Sequence, residues 1–212
     1  MAKRKPNGEY VGIVGQLVLY EQRGCGVMRT RTPHRSDSSP LVADVRVSFG
    51  GVSRTLSRIK KLLEVGFENH TWSTAISVNC TNRKLLKNKG QLDGFRWLQF
   101  SGGKLSSAEN FSAEITDAKK IKIEWNGTIP GSPFHDNDIV IILLYSSLDD
   151  EFYTFYPNGV TRSDGFALID DYIVKPGDKI DVFAAFKVNT RHYNTKGNKN
   201  ISSSEWVGCL ES

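Results

Sequence analysis

The residues able to do chemistry are spread thinly along this chain. Its four histidines, His34, His70, His135 and His192, form no H-x-x-x-H or H-x-x-E pair, so the spacing of a helical metal site is missing. Cys25, Cys80 and Cys209 make no C-x-x-C, and the expectation for them is burial as free thiols. The acidic clusters His135-Asp-Asn-Asp138, Asp149-Asp-Glu151 and Asp170-Asp171 offer the oxygen ligands that calcium takes, or the paired carboxylates of acid-base catalysis. Without the D-x-[DN]-x-[DN]-G spacing, solvated strand connections are expected instead. Gly12-x-x-Gly15 and Gly24-Cys-Gly26 match neither phosphate-binding glycine pattern and are expected in tight turns. No G-x-S-x-G elbow occurs. This pattern predicts no enzyme, no catalytic residue, no cofactor and no metal.

What the sequence does concentrate is charge. Residues 1–100 carry 17 Lys/Arg against 7 Asp/Glu, and residues 101–212 carry 11 against 16, so an overall charge of +5 conceals a +10 half and a −5 half. A basic half of this kind is drawn to nucleic acid, to an acidic surface or to the acidic half of a neighbouring copy. Basic side chains interleave with aromatic and small residues in two stretches, Arg23, Arg29, Arg31 and Arg35, then Lys84, Lys87, Lys89 and Arg96 beside Trp97. Phosphate contacts there would give salt-dependent, sequence-independent affinity; a solvated basic face is the alternative. Residues 189–204, with Arg191, His192, Lys196 and Lys199 among Asn, Gly and Ser, predict a long loop between strands and a recognition tip. The candidate interaction residues are Arg29, Arg31, Arg54, Arg58, Lys61, Arg191, His192 and Lys196.

The elements that would position these side chains are legible from periodicity. Two apolar runs around a glycine-containing turn predict a β-hairpin over residues 10–31. Ser39 as N-cap and Pro40 as first helical residue open a predicted helix over 40–65. Val42, Val45, Phe49, Val52, Leu56, Ile59 and Leu63 then recur in three- and four-residue steps, opposite Arg46, Arg54, Arg58, Lys60 and Lys61. Such a stripe from Val42 to Leu63 serves either as a core face or as an oligomer seam. Gly50-Gly51 interrupts it at about 1 kcal/mol per glycine, to be offset by a bend or a close helix contact. Gly66-Phe67 reads as the stop. A second helix is predicted over 71–81, with Trp72, Ala75, Ile76 and Cys80 on one face, followed by a basic, turn-like run over 82–90.

Beyond residue 97 the period changes to two. Strands are predicted at 97–100, 111–115, 120–125, 138–145, 151–156, 165–169, 179–188 and 204–210, separated by turns such as Asn126-Gly127, Pro157-Asn-Gly159 and Pro176-Gly-Asp178. This is the spacing of an all-β sandwich. Ile121, Ile123 and Trp125 should point inward, and residues 139–144, apolar at both parities, should form a strand covered on both faces.

Trp125 on an early strand, Tyr145 ending a central one and the late strand pair 180–188 and 203–208 resemble a fibronectin type III or immunoglobulin-like sandwich. The whole chain also resembles an uncharacterised Bacteroidota family of about 200 residues. The resemblance lies in Gly12-Ile-Val-Gly15 with Tyr20 and Arg29, Leu62-Leu-Glu-Val-Gly-Phe67, Ser101-Gly-Gly-Lys-Leu105 and a final Ser-x-x-Trp-Val-Gly208. Where that family has an Asn-Pro-Arg-Thr-like loop before the helix, this chain has Pro33-His-Arg-Ser36 and Ser38-Ser-Pro40. The resemblance implies a fold and carries no activity with it.

The expected architecture is α+β. A small basic hairpin-plus-helix unit occupies residues 1–97, and an immunoglobulin-like sandwich occupies 98–212, with 101–212 folding alone. The expected role is a non-enzymatic structural or assembly protein, such as a phage virion or lattice component, whose partner is itself or another structural protein. A nucleic-acid-binding protein using the basic half is the alternative, and a hydrolase on the acidic sandwich a lesser one. No apolar stretch approaches the roughly 20 residues of a membrane span, so no membrane partner is expected. Met1-Ala-Lys-Arg-Lys-Pro-Asn-Gly8 leads into no signal-peptide core, which gives the expectation of a cytoplasmic or virion location. The five N-x-S/T sequons are accordingly expected to stay unmodified.

Overall fold

A computed structural model describes residues 3–4, 10–14, 16–22, 25–30, 40–67, 71–116, 118–127, 136–189 and 200–212. The chain separates into two compact units, Met1–Asp44 and Val45–Ser212. In the first, β1 (Lys3–Arg4), β2 (Tyr10–Val14), β3 (Leu17–Gln22) and β4 (Cys25–Thr30) form an antiparallel sheet in chain order. The single hairpin expected over 10–31 is thus a meander. Val14 pairs with Leu17, so the apolar run 11–20 is divided between two strands. No residue of this sheet whose burial is described is buried.

Helix α1 (Pro40–Arg58) starts at the predicted proline, but the helix expected over 40–65 is broken. Ile59, at φ −112° and ψ 24°, leaves the helical path, and α2 (Lys60–Gly66) resumes beyond it. Gly66 closes α2 and must be glycine there, because a Cβ would overlap the Phe100 carbonyl; Gly102 N–H donates to Gly66 O at 3.1 Å. Gly51 admits a close helix contact: the Arg83 guanidinium crosses α1 there and donates to Ser48 O at 3.3 Å. Helix α3 (Thr71–Asn88) runs a further seven residues past the predicted end at Thr81. The basic run is helical because Lys, Leu and Arg are strong helix formers and Leu86 finds apolar cover. Gly90, at φ +67°, lies just beyond the end of α3.

Every strand predicted beyond residue 100 is present. β5 (Glu109–Ile115), β6 (Ile121–Asn126) and β9 (Phe166–Ile169) form one antiparallel sheet in the order β5-β6-β9. β7 (Ile139–Ser146), β8 (Glu151–Phe155), β10 (Lys179–Lys187) and β11 (Glu205–Glu211) form another in the order β11-β10-β7-β8. Residues 97–100 are not a strand. Asn79, fully buried on α3, takes the Gln99 backbone instead: Gln99 N–H donates to Oδ1 at 2.7 Å and Nδ2 donates to Gln99 O at 2.8 Å.

Alternation along β7 and β10 produces two cores. Val140, Ile142, Leu144, Ile180, Val182 and Phe186 pack against Ile121, Ile123, Trp125, Ala167 and Ile169 of the three-stranded sheet. Ile141, Leu143, Phe183 and Ala185 pack the other way, against Val52, Leu56, Ile59, Leu63, Ala75, Ile76, Trp97 and Phe100. The second unit is therefore a three-layer body: helices, four-stranded sheet, three-stranded sheet. The boundary expected at 97/98 falls inside it, and residues 101–212 alone would leave the row Ile141, Leu143, Phe183 and Ala185 facing water. The fold is mixed α+β, with the helices covering the sheet rather than forming a unit with the N-terminal strands.

Trp125 is 5% exposed, donates its indole N–H to Arg162 O at 2.8 Å and meets Phe186 edge-on at 5.4 Å. Trp125→Ala should cost about 3 to 5 kcal/mol in denaturant unfolding; a loss below about 1 kcal/mol would contradict this packing.

Candidate interaction surfaces

The residues singled out for chemistry are mostly engaged in the fold or lie beyond the described residues. All four histidines belong to the latter group, as do Arg31, Arg35, Arg191, Lys196 and Lys199. Among the described residues no three His, Cys, Asp or Glu side chains converge as a metal site requires. The expectation of buried thiols is corrected: Cys25 and Cys209 are exposed and Cys80 is half-buried. Burial still pushes the Cys80 thiol up, against the opposing pull of Arg83.

Each described acidic cluster is tied to a cation. Asp138 is buried beside Arg162, which is also fully buried; the pair meets at 3.2 Å through Nε and through Nη2. Arg162 Nη2 donates to Ser106 O at 2.7 Å, and the guanidinium lies 4.1 Å from the Phe186 ring centroid. Desolvation lowers the Arg162 pKa and the neighbouring Asp138 opposes it. Asp149 pairs with Lys175 at 2.6 Å and Asp170 with Lys120. Asp150 accepts from Arg58 Nη1 at 3.0 Å and from the Tyr145 hydroxyl at 2.9 Å, and these two donors hold its carboxyl below the ordinary value. Burial, with Asp150 added, pushes the Tyr145 hydroxyl up to about 12.

The most committed carboxylate was not singled out by sequence. Asp178, in the predicted Pro-Gly-Asp turn, is fully buried and accepts from Ser146 Oγ at 2.7 Å, Leu148 N–H at 3.0 Å, Ser147 Oγ at 3.3 Å and Tyr172 Oη at 2.9 Å. Burial alone would raise its pKa, but these four donors outweigh burial and the net shift is downward. It joins the β7–β8 turn to the β9–β10 connection. No signal short of the fold marks it, because three of its donors are 30 to 32 positions away and the fourth, Tyr172, lies six positions before it in an irregular connection.

The basic candidates divide. Arg58 pairs with Asp150 and lies over the Phe152 ring at 5.1 Å while remaining exposed at the surface. Arg29 sits on β4 with its guanidinium 5.7 Å from the Tyr20 centroid. Arg96 covers Trp206 at 4.9 Å. Arg54 and Lys61 are exposed on α1 and α2, as are Arg46, Lys60, Lys84 and Lys89. The helix α3 sequence contains no Asp or Glu.

Among the described residues of the second unit, an apolar groove and a mixed polar and apolar groove open to solvent. The first, of about 530 Å³, lies between α1 and α3 over Phe49, Trp72, Ile76 and Cys80. It resolves the predicted stripe: Val52, Leu56, Ile59 and Leu63 are buried core, whereas Val45 and Phe49, two turns and one turn before Val52, stay exposed. The other, of about 600 Å³, lies at the β8/β9 edge of the two sheets over Tyr156, Phe166 and Leu168, with Asp164, Asp170 and Asp171 around it. Among the described residues no helix is long and apolar enough to cross a membrane. No protein-family model matches the chain, and no curated protein matches it in sequence.

Because the Asp178 pKa is depressed in the folded state, its contribution to stability is present above the ordinary value of 3.8 and is lost as pH falls through the lower folded value. Asp178→Asn should therefore flatten the acid limb of a stability-against-pH curve. Parallel acid limbs for the two proteins would contradict the assignment.

Proposed function

We propose that this chain is a non-enzymatic structural or assembly protein that associates with copies of itself through unlike surfaces, as a component of a phage particle or another lattice. One observation carries the reading. The charge split follows the layers: residues 45–90, which build the helical layer, carry nine Lys/Arg against two Asp/Glu, while residues 101–212 are net acidic. Unlike surfaces on identical copies favour head-to-tail contact, which closes into rings or extends into filaments. The fold reading that accompanies it is a fibronectin type III or immunoglobulin-like sandwich for β5 to β11. It is supported by seven antiparallel strands split as β5-β6-β9 and β11-β10-β7-β8, and by Tyr172 bonded across the β9–β10 corner. In constant-type immunoglobulin domains the fourth strand joins the first, second and fifth; here β8 stays beside β7. Membership of the Bacteroidota family belongs to the same proposal. Its shared positions include Gly66 and Ser101, both buried where α2 and residues 200–204 close on the 100–105 segment.

Binding of nucleic acid is the second reading, favoured by the acid-free α3 and the exposed Arg54, Lys60, Lys61, Lys84 and Lys89. Light scattering on nuclease-treated protein separates the two. Under the structural reading, oligomers persist without nucleic acid at low salt, loosen as salt screens charges beyond about 8 Å, and weaken in Arg54→Glu/Lys61→Glu. A monomer that binds mixed-sequence DNA with a steep negative salt dependence would replace the structural reading with the second.

A further inference from the structure

We propose that the apolar groove between α1 and α3 and the open β8/β9 edge of the sandwich are the two halves of one interface, each occupied by the other on a second copy of this chain. The inference rests on the self-association reading and adds the surfaces. The groove floor is Phe49, Trp72, Ile76 and Cys80, and Phe49 is 50% exposed. Nothing in the core explains Val45 and Phe49, since the buried part of their stripe begins at Val52. Arg46 lies one turn before Phe49 and Lys84 one turn after Cys80, so both flank this floor, and both are exposed. The groove thus offers an apolar base with a cationic rim.

The sandwich edge has the reciprocal character. β8 pairs only with β7 and β9 only with β6 among the described strands, whereas β5 and β11 lie close together at the opposite side. Phe166, 50% exposed, with Leu168 and Tyr156, forms its apolar base. Asp164, Asp170 and Asp171 form an anionic rim, with Asp170 also paired to Lys120 and Asp164 capping the turn at Thr161. Pairing groove with groove would set Arg46 and Lys84 against their own copies, and edge with edge would oppose the aspartates. Groove with edge buries both apolar bases and matches both rims. Because the two surfaces are distinct, one contact leaves a groove and an edge free, and the contact repeats.

Sedimentation of the full-length, nuclease-treated protein at low salt tests this by charge exchange. Arg46→Glu/Lys84→Glu makes both surfaces acidic, and Asp170→Lys/Asp171→Lys makes both basic. Each variant alone should associate at least about tenfold more weakly than wild type. Mixed in equal amounts, they should assemble again, alternating along the array. Phe49→Ala should weaken association by a similar factor with an unchanged melting temperature, since that ring is outside the core. If wild type associates while all three variants behave as wild type, these surfaces are not the interface, although self-association stands. If the variants weaken association but the mixture does not restore it, groove-to-edge pairing is excluded. A wild-type protein that is monomeric throughout overturns both this inference and the reading beneath it.

Discussion

Strands β7 and β10 carry apolar side chains at successive positions, so each sends one row to either side of the sheet, and neither row can be left in water without losing stability. Val140 to Leu144 are all fully buried, as are Val182 to Phe186. Burying a single large aliphatic or aromatic side chain contributes about 1.5 to 3 kcal/mol, so the pair demands cover on two sides at once. The three-stranded sheet supplies one cover. The α1, α2 and α3 layer supplies the other, which is why the helices belong to the same compact unit as the strands although the residue pattern changes between them.

Polar groups then fix how the layers join. Asn79 ties α3 to the irregular segment at residue 99, and Ser204 Oγ accepts from the backbone N–H of Phe100 at 2.9 Å. Asp181 accepts from Phe95 N–H at 3.2 Å and from the Trp206 indole at 3.0 Å, which pins the turn at residues 94–97 to β10 and β11. Arg162 with Asp138 and Asp178 with its four donors do the same at the two ends of the sandwich. A buried polar group left without a partner costs about 1 to 3 kcal/mol, and more if charged, so each of these clusters selects one arrangement of the layers against its neighbours. Asp138, Asp178 and Asp181 are in this way taken up by assembly of the core.

Much of the β half was legible because strands have a simple period and one-residue burial contrasts. Ile121, Ile123 and Trp125 are buried as alternation requires, and the doubly apolar run at 139–144 is covered on both faces. The cover itself was not legible, because a helix stripe records that a face is buried and not against what. Hence the stripe at Val42 to Leu63 left core and seam open, while the structure buries it from Val52 onward and exposes Val45 and Phe49. The break at Ile59 and the extension of α3 through Lys84 and Lys87 are tertiary effects on weak local preferences. Site chemistry was legible only in bulk, as charge. Which cations are paired, as Arg58 is with Asp150, depends on residues 92 positions apart.

The central claim is that the helical layer and the sandwich are one cooperative body built on β7 and β10. Native-state hydrogen exchange read residue by residue tests it most directly. Amides of α2 and of the core-facing part of α3 should open only with the same free energy as those of β7 and β10, which is the global unfolding free energy. Helical amides that exchange through a separate, much lower-energy opening while β7 and β10 stay protected would contradict the account.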